Sequence, residues 1–89
     1  MGLKNRIHPG EYLKEILEDL GINQSRLAKH IGIKPGVINL ICNGKRGISA
    51  SMAKKLAAAL GISTELWMNL QMSYDLTMAE EPKFGKIRA

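Results

Sequence analysis

The stretch Asn23-Gln24-Ser25-Arg26-Leu27-Ala28-Lys29-His30-Ile31-Gly32-Ile33-Lys34-Pro35-Gly36-Val37-Ile38-Asn39-Leu40-Ile41-Cys42-Asn43-Gly44 decides the fold. Apolar residues recur at helical spacing on both sides of Gly32-Ile33-Lys34: Leu27, Ala28 and Ile31 before it, Val37, Ile38 and Ile41 after it. Asn23 is a residue type that caps a helix start, and Pro35 suits the first turn of the next helix. Two short helices joined by a three-residue turn containing glycine have the spacing of a helix-turn-helix over 23–44. In that arrangement the first helix braces against a nucleic-acid backbone. The second turns its outer face to the major groove, which is wide enough to admit it. The residues pointing away from Val37, Ile38 and Ile41 are Gly36, Asn39, Leu40 and Asn43.

Charge falls on the same stretch. Between Gly21 and Thr64 lie Arg26, Lys29, Lys34, Lys45, Arg46, Lys54 and Lys55, without one Asp or Glu. The whole chain carries a net +5, so the positive charge is concentrated in its middle. A solvated basic face is the plain explanation of such a run. Its coincidence with the helix pair favours a polyanion partner, double-stranded DNA. Phosphate contacts follow from elementary chemistry. Free N–H groups near Asn23 and Gln24 start a helix and favour anions, and the Gln24 side chain adds a donor. After the second helix of the pair, Asn43, the Gly44 amide, Lys45 and Arg46 stand where a loop meets the backbone. Lys54 and Lys55 are weaker candidates.

Outward from this core, the unit apolar-Gly-Ile recurs at Leu20-Gly21-Ile22, Ile31-Gly32-Ile33 and Leu60-Gly61-Ile62, each the mark of a helix end. Pro9, Asn23, Pro35, Ser49 and Ser63 supply the matching starts. The spacing predicts five helices at about 9–20, 23–31, 35–43, 49–60 and 64–79. Composition agrees: Leu (11), Ile (10) and Ala (8) dominate, while Val appears once and Thr twice. The expectation is an all-α domain over residues 1–80 with a flexible tail at 81–89. Expected core residues include Leu13, Ile16, Leu17 and Leu20 in the first helix and Trp67, Leu70 and Tyr74 in the fifth.

Other function classes fade on the same residues. No apolar run approaches the roughly 20 residues of a membrane span, and no secretory signal opens the chain. A lone cysteine, Cys42, fits a reducing compartment and a packed thiol. The expected location is therefore the cytoplasm, at the nucleoid when DNA is bound. His8 and His30 have no partners at metal-ligand spacing. Glu11, Glu15, Glu18 and Asp19 read as a solvated helix face, and no nucleophile–base set can be assembled. Neither enzyme activity, metal nor cofactor is expected. A second apolar stripe on the fifth helix, Met68, Met72, Leu76 and Ala79, asks for another surface. Dimerisation is the sharper reading, and a tail folded over the stripe the plainer one. A two-fold dimer sets its reading helices about 34 Å apart and requires a near-palindromic site.

Three further stretches carry a family resemblance: Ile7-His8-Pro9-Gly10-Glu11; Asn43-Gly44-Lys45-Arg46-Gly47-Ile48-Ser49; and Leu60 to Gln71, with Leu66-Trp67-Met68-Asn69-Leu70-Gln71 at its end, followed by Tyr74-Asp75-Leu76. Over about residues 6–80 the chain resembles the HigA-type antitoxins, also labelled virulence-associated protein I, of the Xre/Cro phage-repressor-like superfamily. The resemblance implies a dimeric repressor of its own operon, a five-helix phage-repressor-like fold, and a RelE-like mRNA-cleaving toxin as partner. It assigns phosphate contact to Gln24, Asn43 and Lys45, and base reading to Pro35, Gly36, Val37 and Leu40. Those reading positions are usually polar, and here none carries a donor or acceptor. Only Lys34 and Asn39 can hydrogen-bond a base, while Val37 and Leu40 suit thymine methyls. Direct readout is then shallow, with more left to DNA shape. Leu17 and Cys42 stand where many phage repressors bury an Arg–Glu pair. Two rivals remain: a stand-alone repressor without a toxin, and a small basic ribonuclease toxin, which ought to be strand-rich.

Overall fold

Each helix begins and ends on residues suited to the task. The computed structural model describes residues 7–88, and its five helices are α1 (Pro9–Leu20), α2 (Gln24–Ile31), α3 (Pro35–Cys42), α4 (Ala50–Leu60) and α5 (Thr64–Met78). Asn23, Ser49 and Ser63 accept the amides of Arg26, Met52 and Leu66 respectively. Pro9 and Pro35 occupy first turns, where a missing N–H costs nothing. At the helix-turn-helix corner Gly32 takes φ +75°, a left-handed value cheap only without a β-carbon. The Ile33 amide then returns to the Ala28 carbonyl at 2.9 Å, closing the end of α2.

α2 packs on α3 and α4, α1 on α3 and α5, and α4 on α5. At their meeting point lie Leu13, Leu17, Leu27, Ile38, Ile41, Leu56 and Trp67, all buried. Leu17 and Cys42, the apolar stand-ins for an ion pair, belong to this core. Trp67 is fully enclosed, and its Nε1 has no hydrogen-bond partner among the described residues. Burying an indole contributes about 4–6 kcal/mol. That exceeds the roughly 1–3 kcal/mol lost at one orphaned donor, so the ring stays inside. Tyr12 lies against it, with ring centroids 5.5 Å apart.

The first turn of α1 meets the last turn of α3. A β-carbon on Gly10 would collide with the Ile41 carbonyl, so only glycine permits this approach. His8 fixes the same corner: its Nδ1 accepts from the Gly10 amide at 2.8 Å, and its ring meets Tyr74 of α5 edge-on at 4.7 Å.

Several expectations require correction. Leu20 is 56% exposed, because the chain turns away at Gly21 before another element can cover it. Met68 is half-buried and packs against the core rather than standing outside it. Ala79 is extended and lies just beyond α5, so it does not continue the helical stripe. Met72 and Leu76 remain on that face, both exposed. The tail does not fold over them, since Phe84 and Ile87 are themselves 82% and 90% exposed. No strand occurs among the described residues, which removes the ground for the ribonuclease rival.

Candidate nucleic-acid interface

α3 presents Lys34, Pro35, Gly36, Asn39 and Leu40 to solvent, with Asn43 just past its end. Ile38, Ile41 and Cys42 point inward and are buried. Val37 differs from the other expected reading residues: it is half-buried and packs against the core, leaving one edge outside. Lys34 precedes the first turn as its exposed N-cap residue, and its side chain, a donor only, cannot cap the helix amides.

Three amide side chains form a ladder across the motif. Asn39 Nδ2 donates to Gln24 Oε1 at 3.2 Å, and Asn43 Nδ2 donates to Asn39 Oδ1 at 3.2 Å. The ladder ties the start of α2 to the middle and end of α3. Because each amide carries two N–H groups, every member keeps a donor for a base or a phosphate. The Asn23 oxygen is spent on capping Arg26, leaving its own N–H groups to donate.

The loop after α3 carries Lys45 and Arg46, both exposed. The Gly44 amide, expected to meet phosphate, instead donates to the Ile41 carbonyl at 3.0 Å. The helix end consumes it, which leaves the exposed Lys45 and Arg46 side chains as the loop's cationic groups. Lys54 and Lys55 lie on exposed α4 positions, and Lys55 Nζ donates to Ser51 Oγ at 3.0 Å.

Two residues matter that local pattern did not single out. Gln71, half-buried on α5, accepts the Ile48 amide on Oε1 at 2.7 Å. A polar residue beside the inward stripe of Trp67, Leu70 and Tyr74 was the available signal. His8 reads from sequence only as part of the lead into the first helix; its cap bond is local, but its burial and its contact with Tyr74 are tertiary. Burial also pushes its pKa down, against the smaller opposing pull of Glu11 and Asp75. Burial likewise pushes the Cys42 thiol up, against a smaller effect of Lys14. That disfavours the thiolate needed for nucleophilic chemistry. No cluster of three metal-ligating side chains occurs among the described residues, and no helix there is long and apolar enough to cross a membrane.

A family model described as Helix-turn-helix matches residues 13–67. Virulence-associated protein I of Dichelobacter nodosus is 42% identical over 78 residues, spanning 86% of this chain and 72% of that protein. Antitoxin HigA-1 of Vibrio cholerae is 41% identical over 83 residues, spanning 86% and 78%. The chain belongs to the HigA-type helix-turn-helix family. Its members are regulators and antitoxins rather than enzymes. This HigA-type chain also superposes on the Pseudomonas aeruginosa antitoxin HigA solved with the higBA promoter, with a TM-score of 0.78 and 40% identity over 81% of this chain and 79% of that one.

Proposed function

We propose that this chain is the antitoxin and autorepressor of a type II toxin–antitoxin operon. As a cytoplasmic homodimer it binds a near-palindromic operator upstream of its own gene, and it neutralises a RelE-like mRNA-cleaving toxin by forming a complex with it. The observation that carries the DNA half is the exposed outer side of α3, flanked by Lys45 and Arg46 within an acid-free stretch from Gly21 to Thr64. Lys34, Pro35, Gly36, Asn39 and Leu40, with the outer edge of Val37, meet base edges. Asn23, Gln24, Asn43, Lys45 and Arg46 meet phosphates on either side, where contacts position the protein without reading sequence. Family membership supports the antitoxin half, through relatives named as antitoxins. Dimerisation is supported by Met72 and Leu76, apolar, exposed and one turn apart on α5.

The test pairs two measurements. Purified protein is titrated against duplex from upstream of its gene and against a scrambled duplex of equal length, at several salt concentrations. Selective binding at two protomers per site supports the repressor. Equal binding to both, collapsing with salt, means phosphate contact alone and refutes operator reading. Co-expression with the adjacent small reading frame tests the toxin: no complex and no rescue of growth leaves a stand-alone repressor.

A further inference from the structure

The loop joining α3 to α4 is held at both ends and bare in the middle. At its start the amides of Asn43, Gly44 and Lys45 return to the carbonyls of Asn39, Ile41 and Leu40, at 3.0, 3.0 and 2.9 Å. At its far end Ile48 is buried, and Ser49 caps α4. From the near anchor the Lys45 side chain projects, and between the anchors stand Arg46 and Gly47, all exposed. The far anchor is not local. The Ile48 amide donates to Gln71 Oε1, a residue 23 positions later on α5. Gln71 is itself fixed, because its Nε2 donates to Asp75 Oδ1 at 2.9 Å, one turn along the same helix. A β-carbon at Gly47 would sit 3.1 Å from both the nitrogen and the oxygen of the Gln71 amide, so the loop backbone lies flat against this side chain.

We propose that Gln71 is a positioning residue for DNA-backbone binding: from α5, its amide holds the Lys45–Arg46 loop in the shape that meets phosphate. The proposal rests on the DNA reading above and adds a residue that touches no DNA. Packing alone does not require an amide here, where an apolar side chain would extend the Trp67, Leu70 and Tyr74 stripe. An acceptor is needed because the Ile48 amide is part-buried, and an unpaired buried amide is costly. Without that acceptor the cheapest relief is for the loop to lift and give its amide to water. Lifting disperses the two cations. Ordering them again on DNA then costs conformational entropy that the wild-type loop has already surrendered on folding.

The test uses the full chain, with Gln71→Ala and a restoring double variant, Gln71→Glu/Asp75→Asn. In the double variant the new carboxylate at position 71 accepts from Ile48, and the new amide at position 75 donates to that carboxylate. Backbone 15N relaxation at Arg46 and Gly47, whose amides belong to neither anchor, is measured without DNA. Affinity for the upstream duplex is measured across a salt series. For Q71A we expect order parameters at those amides to fall from about 0.85 to below about 0.6. Affinity should drop about tenfold, and the slope of log affinity against log salt should become shallower by about one to two. The double variant should recover both readouts. Loop amides as rigid in Q71A as in wild type overturn the proposal. So does lowered thermal stability with loop order and salt slope unchanged, which is what a merely structural residue gives. Wild-type protein that binds no duplex refutes the DNA reading and the purpose assigned to Gln71 together. Failure at Gln71 alone leaves wild-type binding intact.

Discussion

Asn39, in the middle of α3, donates across the motif to Gln24 at the start of α2, and on its other side accepts from Asn43. One residue on the outer face of α3 thus holds the two proposed phosphate contacts, Gln24 and Asn43, in place. Asn39→Ala should weaken binding to the upstream duplex by roughly 1–3 kcal/mol through loss of a base contact. It should also disorder Gln24, so the double variant with Gln24→Ala should cost less than the sum of the singles. A double-mutant cycle on duplex affinity measures this; strict additivity would show that the ladder does not operate on DNA.

Gly10 and Gly36 are both helical glycines with opposite surroundings. At Gly10 a methyl group meets the Ile41 carbonyl, whereas at Gly36 it meets open space. Gly10→Ala should destabilise the fold by about 3 kcal/mol or more, because backbone cannot yield as a side chain can. In a domain this small that lowers Tm by roughly 12 °C or more. Gly36→Ala should leave Tm unchanged or raise stability by about 0.5–1 kcal/mol, since alanine restricts the unfolded chain, while altering duplex affinity at the reading face. Thermal unfolding of the two variants, with duplex titration of the second, checks both halves.

His8 predicts an acid-sensitive fold. Burial lowers its pKa in the folded chain, so the unfolded chain binds the proton first. Stability is then full above the ordinary histidine value of about 6.5. It falls as acid protonates the unfolded state, until pH drops below the lowered folded value. Protonation also removes the lone pair that accepts from Gly10. Wild-type Tm should therefore decline as pH falls from about 7.5 to about 5. His8→Asn keeps a capping oxygen without a titration there, and its Tm should change less over that range. Parallel curves for the two proteins would rule out His8 as the cause.

Met72 and Leu76 lie exposed one turn apart on α5. If α5 forms the two-fold contact, Met72→Asp/Leu76→Asp should give a monomer by light scattering. Its own Tm should differ little at concentrations where wild type is monomeric, because neither side chain is buried within the subunit. Duplex binding should lose its two-protomer stoichiometry. A double variant that still elutes as a dimer places the interface elsewhere.

Local chemistry read along the chain determined a good deal by itself. Cap residues, first-turn prolines and left-handed glycines act within one or two turns, so Asn23, Pro35, Gly32, Ser49 and Ser63 mark their helices before any packing is known. The period of Leu13 and Leu17, and of Ile38 and Ile41, picks out the inner sides, and the acid-free stretch marks the charged one. What period cannot state is how far a neighbour extends. Leu20 continues the first helix's stripe but projects past the bundle. Val37 and Met68 sit at boundaries where an adjacent helix covers half of each. The Asn39–Gln24 bond, the His8–Tyr74 contact, the Gly10–Ile41 approach and the Gln71–Ile48 bond join residues at least 15 positions apart. Such contacts depend on helix crossing geometry, which no local pattern encodes. The helix pair and the outer face of α3 were therefore legible in the sequence, while the way the loop after α3 is held was decided only when α5 packed against the rest.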